Sequence, residues 1–281
     1  MRRLDAVKLP HHGRQCRFGH RNSVTRWPGT APRKDDINTL PSPESEHRET
    51  SESAPSLVLG MDAATPPATV ALVRGDTVLA HRDGPFGPKT DAWILAAAAE
   101  VLQEAGVRIR DLDCIAAGTG PGTFTGIRVA LAAALGLGAG GRIQVCGIGN
   151  LDALLESARV ASGSDRDLDA VAVIDARRGQ HYALRAIVPP TGSGPRELWP
   201  AAAIGTAELE QRLAAEPPSV IVGAEIDAPP AVTQPETPPL AVSIARIAAR
   251  LAPESRPAPK PNYLRPPDAV AAVSPLRRRR G

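Results

Sequence analysis

The sequence predicts an α/β protein built from two related halves, and three observations carry that prediction. Three short apolar strands follow one another through tight connections, after which helix and strand alternate. The order strand, aspartate, turn, strand occurs twice, at Asp62 and again at Asp175. Only 3% of the 281 residues are aromatic while 42% are hydrophobic, so the core is made of Ala, Val, Leu and Ile and is large enough for one or two domains. Helices laid over a sheet bury such alternating elements.

Regular structure begins near Leu57. Residues 1–34 hold nine Lys or Arg against Asp5, residues 35–52 hold six acids against Arg48, and neither stretch has a helical or strand period. Two readings stand side by side: a disordered extension, or a stretch outside the biological product, since Met1 and Met61 are the only methionines. Pro10, Gly13 and Pro28 break the amphipathic helix of an organelle transit peptide. The expected organisation is an extension at 1–56, a first half-domain at 57–168, a smaller second one at 169–270 and a basic tail at 271–281 that includes Arg277–Arg280.

"LVLGMDA" (57–63), "ATVALVR" (68–74) and "TVLAHRD" (77–83) read as an antiparallel meander joined by Pro66-Pro67 and Gly75-Asp76. Thr90 is placed to cap a helix running to about residue 105, with Ile94, Ala97, Ala98, Val101 and Leu102 as its apolar stripe and Gly106 as its stop. A strand (113–118), the loop "GTGPGTFTGIR" (118–128), a helix from about Thr123 to Gly138 and a strand (143–148) follow. The second half opens with strands at 170–176 and 181–187, then a helix at 206–215, a strand at 219–224 and a helix at 241–251, amid many prolines.

The loop has the look of a phosphate site, yet no lysine occurs between Lys89 and Lys260, which excludes a Walker loop, and its glycine spacing misses the dinucleotide fingerprint. Backbone N–H groups at a helix N-terminus hold anions; a plain strand-to-helix turn capped by Thr123 explains the same residues. In the helix that follows, Gly126, Ala130, Ala134 and Gly138 recur every four residues, and Gly126 and Gly136 together cost about 2 kcal/mol relative to alanine. A flat ridge of this kind serves close packing on its own sheet or a helix interface with another subunit. Asp62 and Asp175 end strands where a carboxylate holds hydrated Mg²⁺ beside phosphates, or simply shapes a turn. No HxxxH, HExxH or GxSxG pattern is present, so hydrolytic chemistry has no residues to rest on. Cys16, Cys114 and Cys146 form no CxxC pair and read as reduced thiols. The uncharged run Val129–Gly141 falls short of the roughly 20 residues of a membrane span.

"LGMDAATPPATVALV" (59–73), "GTGPGTFTGIRVALAAALGL" (118–137), "IDARRGQHYA" (174–183) and "PNYLRPPDAV" (261–270) resemble, in order and spacing, the TsaB (YeaZ) family, closely from Leu57 to about Ala186. The resemblance implies an ASKHA fold, that of actin, sugar kinases and Hsp70, with two half-domains and the second reduced. It implies a cytoplasmic, non-catalytic subunit that pairs with the transferase TsaD, joined by the ATPase TsaE, in making threonylcarbamoyladenosine beside the anticodon of tRNAs that read codons beginning with adenine. TsaD carries a His-x3-His pair on the helix after the meander; residues 90–105 contain no histidine, and Lys89 stands near where the family often keeps one. No catalytic residue, metal ligand or cofactor of its own is therefore expected, only a nucleotide at the junction with partners, and tRNA reached through the complex. The resemblance puts the subunit interface, or a homodimer contact, on Trp93, Ala97 and Val101 of the first helix and on Phe124, Thr125, Gly126, Arg128, Val129, Ala130, Ala133 and Ala134. The alternative is an ASKHA-type enzyme with Mg-ATP at Asp62 and Asp175, against which the small second half and "VGAE" (222–225) weigh. Direct tRNA contact through the Arg-rich ends follows from charge alone.

Overall fold

β1 (Leu57–Asp62) is buried along its whole length because helices cover both faces of its sheet, which is why it reads as an unbroken apolar run. The computed structural model describes residues 54–190 and 194–265; the expectations for residues 1–53 and for the Arg277–Arg280 tail lie outside them. β1 pairs antiparallel with β2 (Ala68–Arg74), which pairs with β3 (Thr77–Gly84), and on its other edge runs parallel to β4 (Cys114–Gly118), followed by β5 (Val145–Ile148). The resulting order is β3-β2-β1-β4-β5. In the second sheet β6 (Leu168–Arg177) pairs antiparallel with β7 (Gln180–Val188), β7 with β8 (Arg196–Gly205), and β6 runs parallel to β9 (Val220–Gly223), giving β8-β7-β6-β9. The second sheet repeats the first with one strand fewer. This duplication is the two-half plan, with a reduced second half, that the resemblance implies.

The helices complete alternating layers. α1 (Thr90–Glu104) and α2 (Phe124–Gly141) lie on the outer face of the first sheet over Leu57, Leu59 and Met61. α3 (Asn150–Ser162) and α5 (Leu240–Arg250) fill the space between the sheets, where Val58 and Ala116 of one sheet share a core with Ala170 and Ala172 of the other. α4 (Thr206–Ala215) covers the far side of the second sheet with Leu209 and Leu213. α5 crosses β1 so closely that a Cβ on Gly60 would sit 2.2 Å from the Ala241 carbonyl oxygen.

Two elements were not foreseen. α3 presents Leu151, Leu154, Leu155 and Ala158 at helical spacing, a legible signal. β8 contains Pro200, which argues against a strand until its place is known: β8 is an edge strand with only β7 beside it, where a missing N–H is tolerated. Smaller differences concern ends. Lys89, not Thr90, is the cap of α1; the buried Thr90 hydroxyl donates back to the Pro85 carbonyl and accepts from Gly87 N–H. α2 runs on to Gly141 and closes with Arg142 in the left-handed region. At 18 residues it is, among the described residues, the one helix long and apolar enough to cross a membrane, and its inward face, including Ile127 and Leu131, forms the core under the first sheet.

A charged network ties α3 and α5 to the β2–β3 turn. Glu156, 7% exposed, accepts from Arg159 and from Arg250, and Arg250 also bonds Asp76. Burial pushes the Glu156 carboxyl up, but the two guanidiniums outweigh it and hold it below its ordinary 4.5. A depressed folded pKa contributes stability above the unfolded value and loses it as pH falls through the folded one. Glu156→Gln is expected to cost about 2 kcal/mol at neutral pH, toward the low end for a buried pair because the arginines are partly solvated. In urea titrations at several pH values, the wild-type advantage should fade below about pH 4.5.

Candidate functional site

The sequence after β4 turns back on itself so tightly that several of its N–H groups are bonded within the chain. Thr119 N–H donates to Ile148 O at 2.9 Å, Gly120 N–H to Asn150 Oδ1 at 3.0 Å and Thr123 N–H to Ala64 O at 2.9 Å. The Thr123 hydroxyl caps α2 by accepting from Gly126 N–H at 3.3 Å. Asn150, at the start of α3, then joins the loop to Asp62, donating from Nδ2 to Oδ1 at 2.9 Å. Asp62 is wholly buried and takes three further donors: Ala64 N–H, Thr65 N–H and the Thr65 hydroxyl. Burial pushes its pKa up, against the pull of these four donors.

This geometry does not fit a magnesium-bound phosphate. Each Asp62 oxygen already accepts two hydrogen bonds, and the Thr119, Gly120, Thr123 and Gly126 N–H groups meet the chain's own oxygens. Nor do the two aspartates converge. A cleft of about 570 Å³ between the halves is lined by Ala64, Thr65, His81, Asp83, Asp175 and Arg177, among others, but not by Asp62. Among the described residues no three His, Cys, Asp or Glu side chains gather as metal ligands. Cys114 and Cys146 are buried free thiols, with Sγ atoms 3.4 Å apart.

The chain's late motif covers the loop. Asn262 N–H donates to Thr119 O at 2.8 Å, Gly147 N–H to Pro257 O at 3.0 Å, and Tyr263 packs on Phe124 with ring centroids 4.9 Å apart. The Arg128 guanidinium lies 3.6 Å over the Phe124 ring and its Nε donates to the Tyr263 hydroxyl at 3.3 Å. Phe124 and Arg128 of the loop motif thus share one cluster with "PNYLR", a pairing across 135 residues that no local pattern announces.

Most of the helix ridge turns inward. Gly126, Ala130, Ala133 and Ala134, with Ala97 and Val101 of α1, are buried in the chain's own core. A Cβ on Gly126 would stand 1.9 Å from Ala63 O, and one on Gly138 would stand 2.3 Å from a Val145 methyl. Small residues are needed there because α2 packs against the backbone just after β1 and against the Val145 side chain. Trp93, Phe124 and Val129 are half-buried; Thr125 and Arg128 are exposed. The outer face of the pair instead carries Leu95 and Leu135, 47% and 46% exposed, among Ala96, Ala99, Ala132 and Gly136. Asn150, the link between loop and aspartate, escaped sequence reasoning: a single Asn at a strand-to-helix turn has no signature of its own.

Known proteins share parts of this sequence and its fold. A family model described as TsaD: tRNA N6-adenosine threonylcarbamoyltransferase matches residues 90–189. The chain is similar to the tRNA threonylcarbamoyladenosine biosynthesis protein TsaB of Escherichia coli, 34% identical over 126 residues, 44% of this chain and 52% of that protein. The TsaB of Haemophilus influenzae is 33% identical over 126 residues, 44% of this chain and 51% of that one. The chain thus spans about half the length of these curated relatives. The solved structure of YeaZ from Pseudomonas aeruginosa shares the fold, with a TM-score of 0.59 at 23% identity over 74% of this chain and all of that one. Duplicated sheets and a loop held by the chain's own oxygens define the class: a two-half α/β scaffold with the fold of YeaZ. The chain is thus similar to TsaB proteins over about half their length and shares the YeaZ fold, with a segment that matches the TsaD model.

Proposed function

We propose that this chain is a non-catalytic, supporting subunit in forming threonylcarbamoyladenosine on tRNA, and that it pairs with the transferase TsaD through the outer face of α1 and α2. The observation that carries this reading is the contrast between two surfaces. The loop and Asp62, where an ASKHA enzyme would do chemistry, are closed on themselves. The α1/α2 face leaves two leucines in a strip of alanine and glycine, a shape that admits another helix at short range. TsaE would join this pair in the cytoplasm, a nucleotide would sit at the junction with partners, and the free chain would use the same face for a homodimer.

Co-expression with TsaD from the same organism tests the reading. Wild type is expected to co-purify stoichiometrically, and Leu95→Asp with Leu135→Asp to weaken the pair by roughly 100-fold, since a charge in the middle of an apolar contact removes its anchors. Both positions face outward, so the variant should keep its thermal midpoint. A pair that forms equally well with both aspartates in place would remove α1/α2 as the interface.

A further inference from the structure

Cys114 and Cys146 take no part in the loop or in the α1/α2 face, yet they are placed for chemistry with each other. Both are free thiols, wholly buried, with Sγ atoms 3.4 Å apart. They stand on neighbouring parallel strands. Cys146 is opposite Ala116, so Cys114 lies two residues further toward the start of β4, on the same face of the sheet. That face shares the core between the sheets with Ala245 and Ala248 of α5.

The surroundings distinguish the two sulfurs. Cys146 donates to Cys114, and that bond holds the Cys114 thiol below its ordinary 9.0 against the cost of burial, with the Arg256 guanidinium charge adding to the lowering. The same bond, together with burial, pushes the Cys146 thiol up. Arg256 is itself buried and bridges the two strands, donating to Asp113 O beside Cys114 and to Gln144 Oε1, two residues before Cys146. A thiol lowered in this way next to a second thiol is the arrangement in which an attacking and a resolving cysteine meet. The segment that carries Arg256 also closes the site. Pro257 O accepts from Gly147 N–H at 3.0 Å, and the Ala258 and Pro259 backbone would stand 3.0 Å from a Cβ on Gly147.

We propose that Cys114 and Cys146 are a peroxide-sensitive pair whose disulfide loosens the loop that follows β4. Hydrogen peroxide is small and uncharged, and it enters when the short Arg256–Pro259 segment lifts from β5. The Cys114 thiolate attacks one peroxide oxygen; the O–O bond breaks, and the other oxygen leaves as hydroxide and takes up the proton Cys114 gave up. The Cys146 sulfur then attacks the Cys114 sulfur, the S–O bond breaks, and the hydroxyl leaves with the Cys146 proton as a second water. Two thiols are thereby oxidised to one disulfide and peroxide is reduced to water. A disulfide is about 2.05 Å long, so bonding draws the sulfurs together by roughly 1.4 Å. Because Cys146 pairs with Ala116, closure pulls the four-residue β5 back toward the start of β4, away from the loop. Ile148 O, which accepts from both the N–H and the hydroxyl of Thr119, then draws off from the loop, and Gly147 N–H from Pro257 O.

The test uses the full chain carrying Cys16→Ser, since Cys16 is a third thiol outside the described residues. Folded, reduced protein is treated with hydrogen peroxide, quenched with catalase and digested without reductant. The expected product is a peptide pair joined through Cys114 and Cys146, about 2 Da lighter than its reduced halves together and separated again by dithiothreitol. Cys146→Ala should stop at a Cys114 sulfenic acid that dimedone traps, while Cys114→Ala should leave Cys146 unmodified at the same dose. In hydrogen exchange, the Thr119 and Gly147 amides should open several-fold faster in the oxidised chain and return to the reduced rate with dithiothreitol. If both thiols of the folded chain can still be alkylated after peroxide, the proposal is overturned, even where the urea-unfolded chain forms the bridge. Dimedone on Cys146 in place of Cys114 would overturn the assigned roles. A bridge that leaves exchange at Thr119 and Gly147 unchanged would overturn the loosening of the loop.

Discussion

Gly126→Leu is expected to unfold the first half of the chain. The added Cβ would lie 1.9 Å from Ala63 O and 2.6 Å from the Thr123 hydroxyl that caps the helix. Ala63 cannot retreat, because its neighbours Asp62 and Ala64 are pinned to Asn150 and to Thr123 N–H. Overpacking a core usually costs about 1–3 kcal/mol. Here the obstacle is backbone, so a loss of at least about 3 kcal/mol is expected, a large share of the roughly 5–15 kcal/mol that holds a domain together. Gly136, ten residues along the same helix, has nothing within 4 Å of its missing Cβ. Gly136→Ala should stabilise by about 0.5–1 kcal/mol by removing glycine's unfolded-state freedom. Urea denaturation of both variants checks the contrast. Equal effects would mean that α2 does not rest on the β1 turn as described, and the Gly126 result explains why bulk on this ridge cannot report on a partner.

Asp62→Asn should be nearly as damaging although it preserves shape. Every neighbour donates to the carboxylate, so an amide must aim its NH₂ either at Ala64 N–H and Asn150 Nδ2 or at Thr65, whose hydroxyl can turn to accept while its N–H is left unpaired. Turning Asn150 over to accommodate it would take the acceptor away from Gly120 N–H. Leaving buried donors unpaired costs about 1–3 kcal/mol each; a total of about 2–4 kcal/mol is expected by thermal and urea unfolding. If Asp62 instead held magnesium for an ATP-using enzyme, the variant would stay folded and lose nucleotide-dependent stabilisation. A variant as stable as wild type would therefore reopen that reading.

Much of this was legible locally. The meander, α1, α2 and the β6–β7 hairpin follow from period-two and period-four apolar spacing, and Thr123 as the cap of α2 follows from its place before the helix. The face of α2 that turns inward was not legible, because the helix is apolar or small on all sides: Ala130 and Ala132 are the same residue type, one buried and one exposed. β8 was hidden by Pro200, whose tolerance depends on being at a sheet edge.

By itself, then, the sequence determined most of the helices and strands, that the plan is duplicated around Asp62 and Asp175, and which family the motifs resemble, since all of these are written in residues close together along the chain. Only the tertiary structure decided that Asp62 is satisfied by Asn150, 88 residues away, that Tyr263 stacks on Phe124, and that Gly126 meets the Ala63 backbone and Gly138 the Val145 side chain. The reason is physical: spacing sets which side chains share a face, but the group that satisfies a buried donor, or meets a missing Cβ, is supplied by whatever the fold brings across.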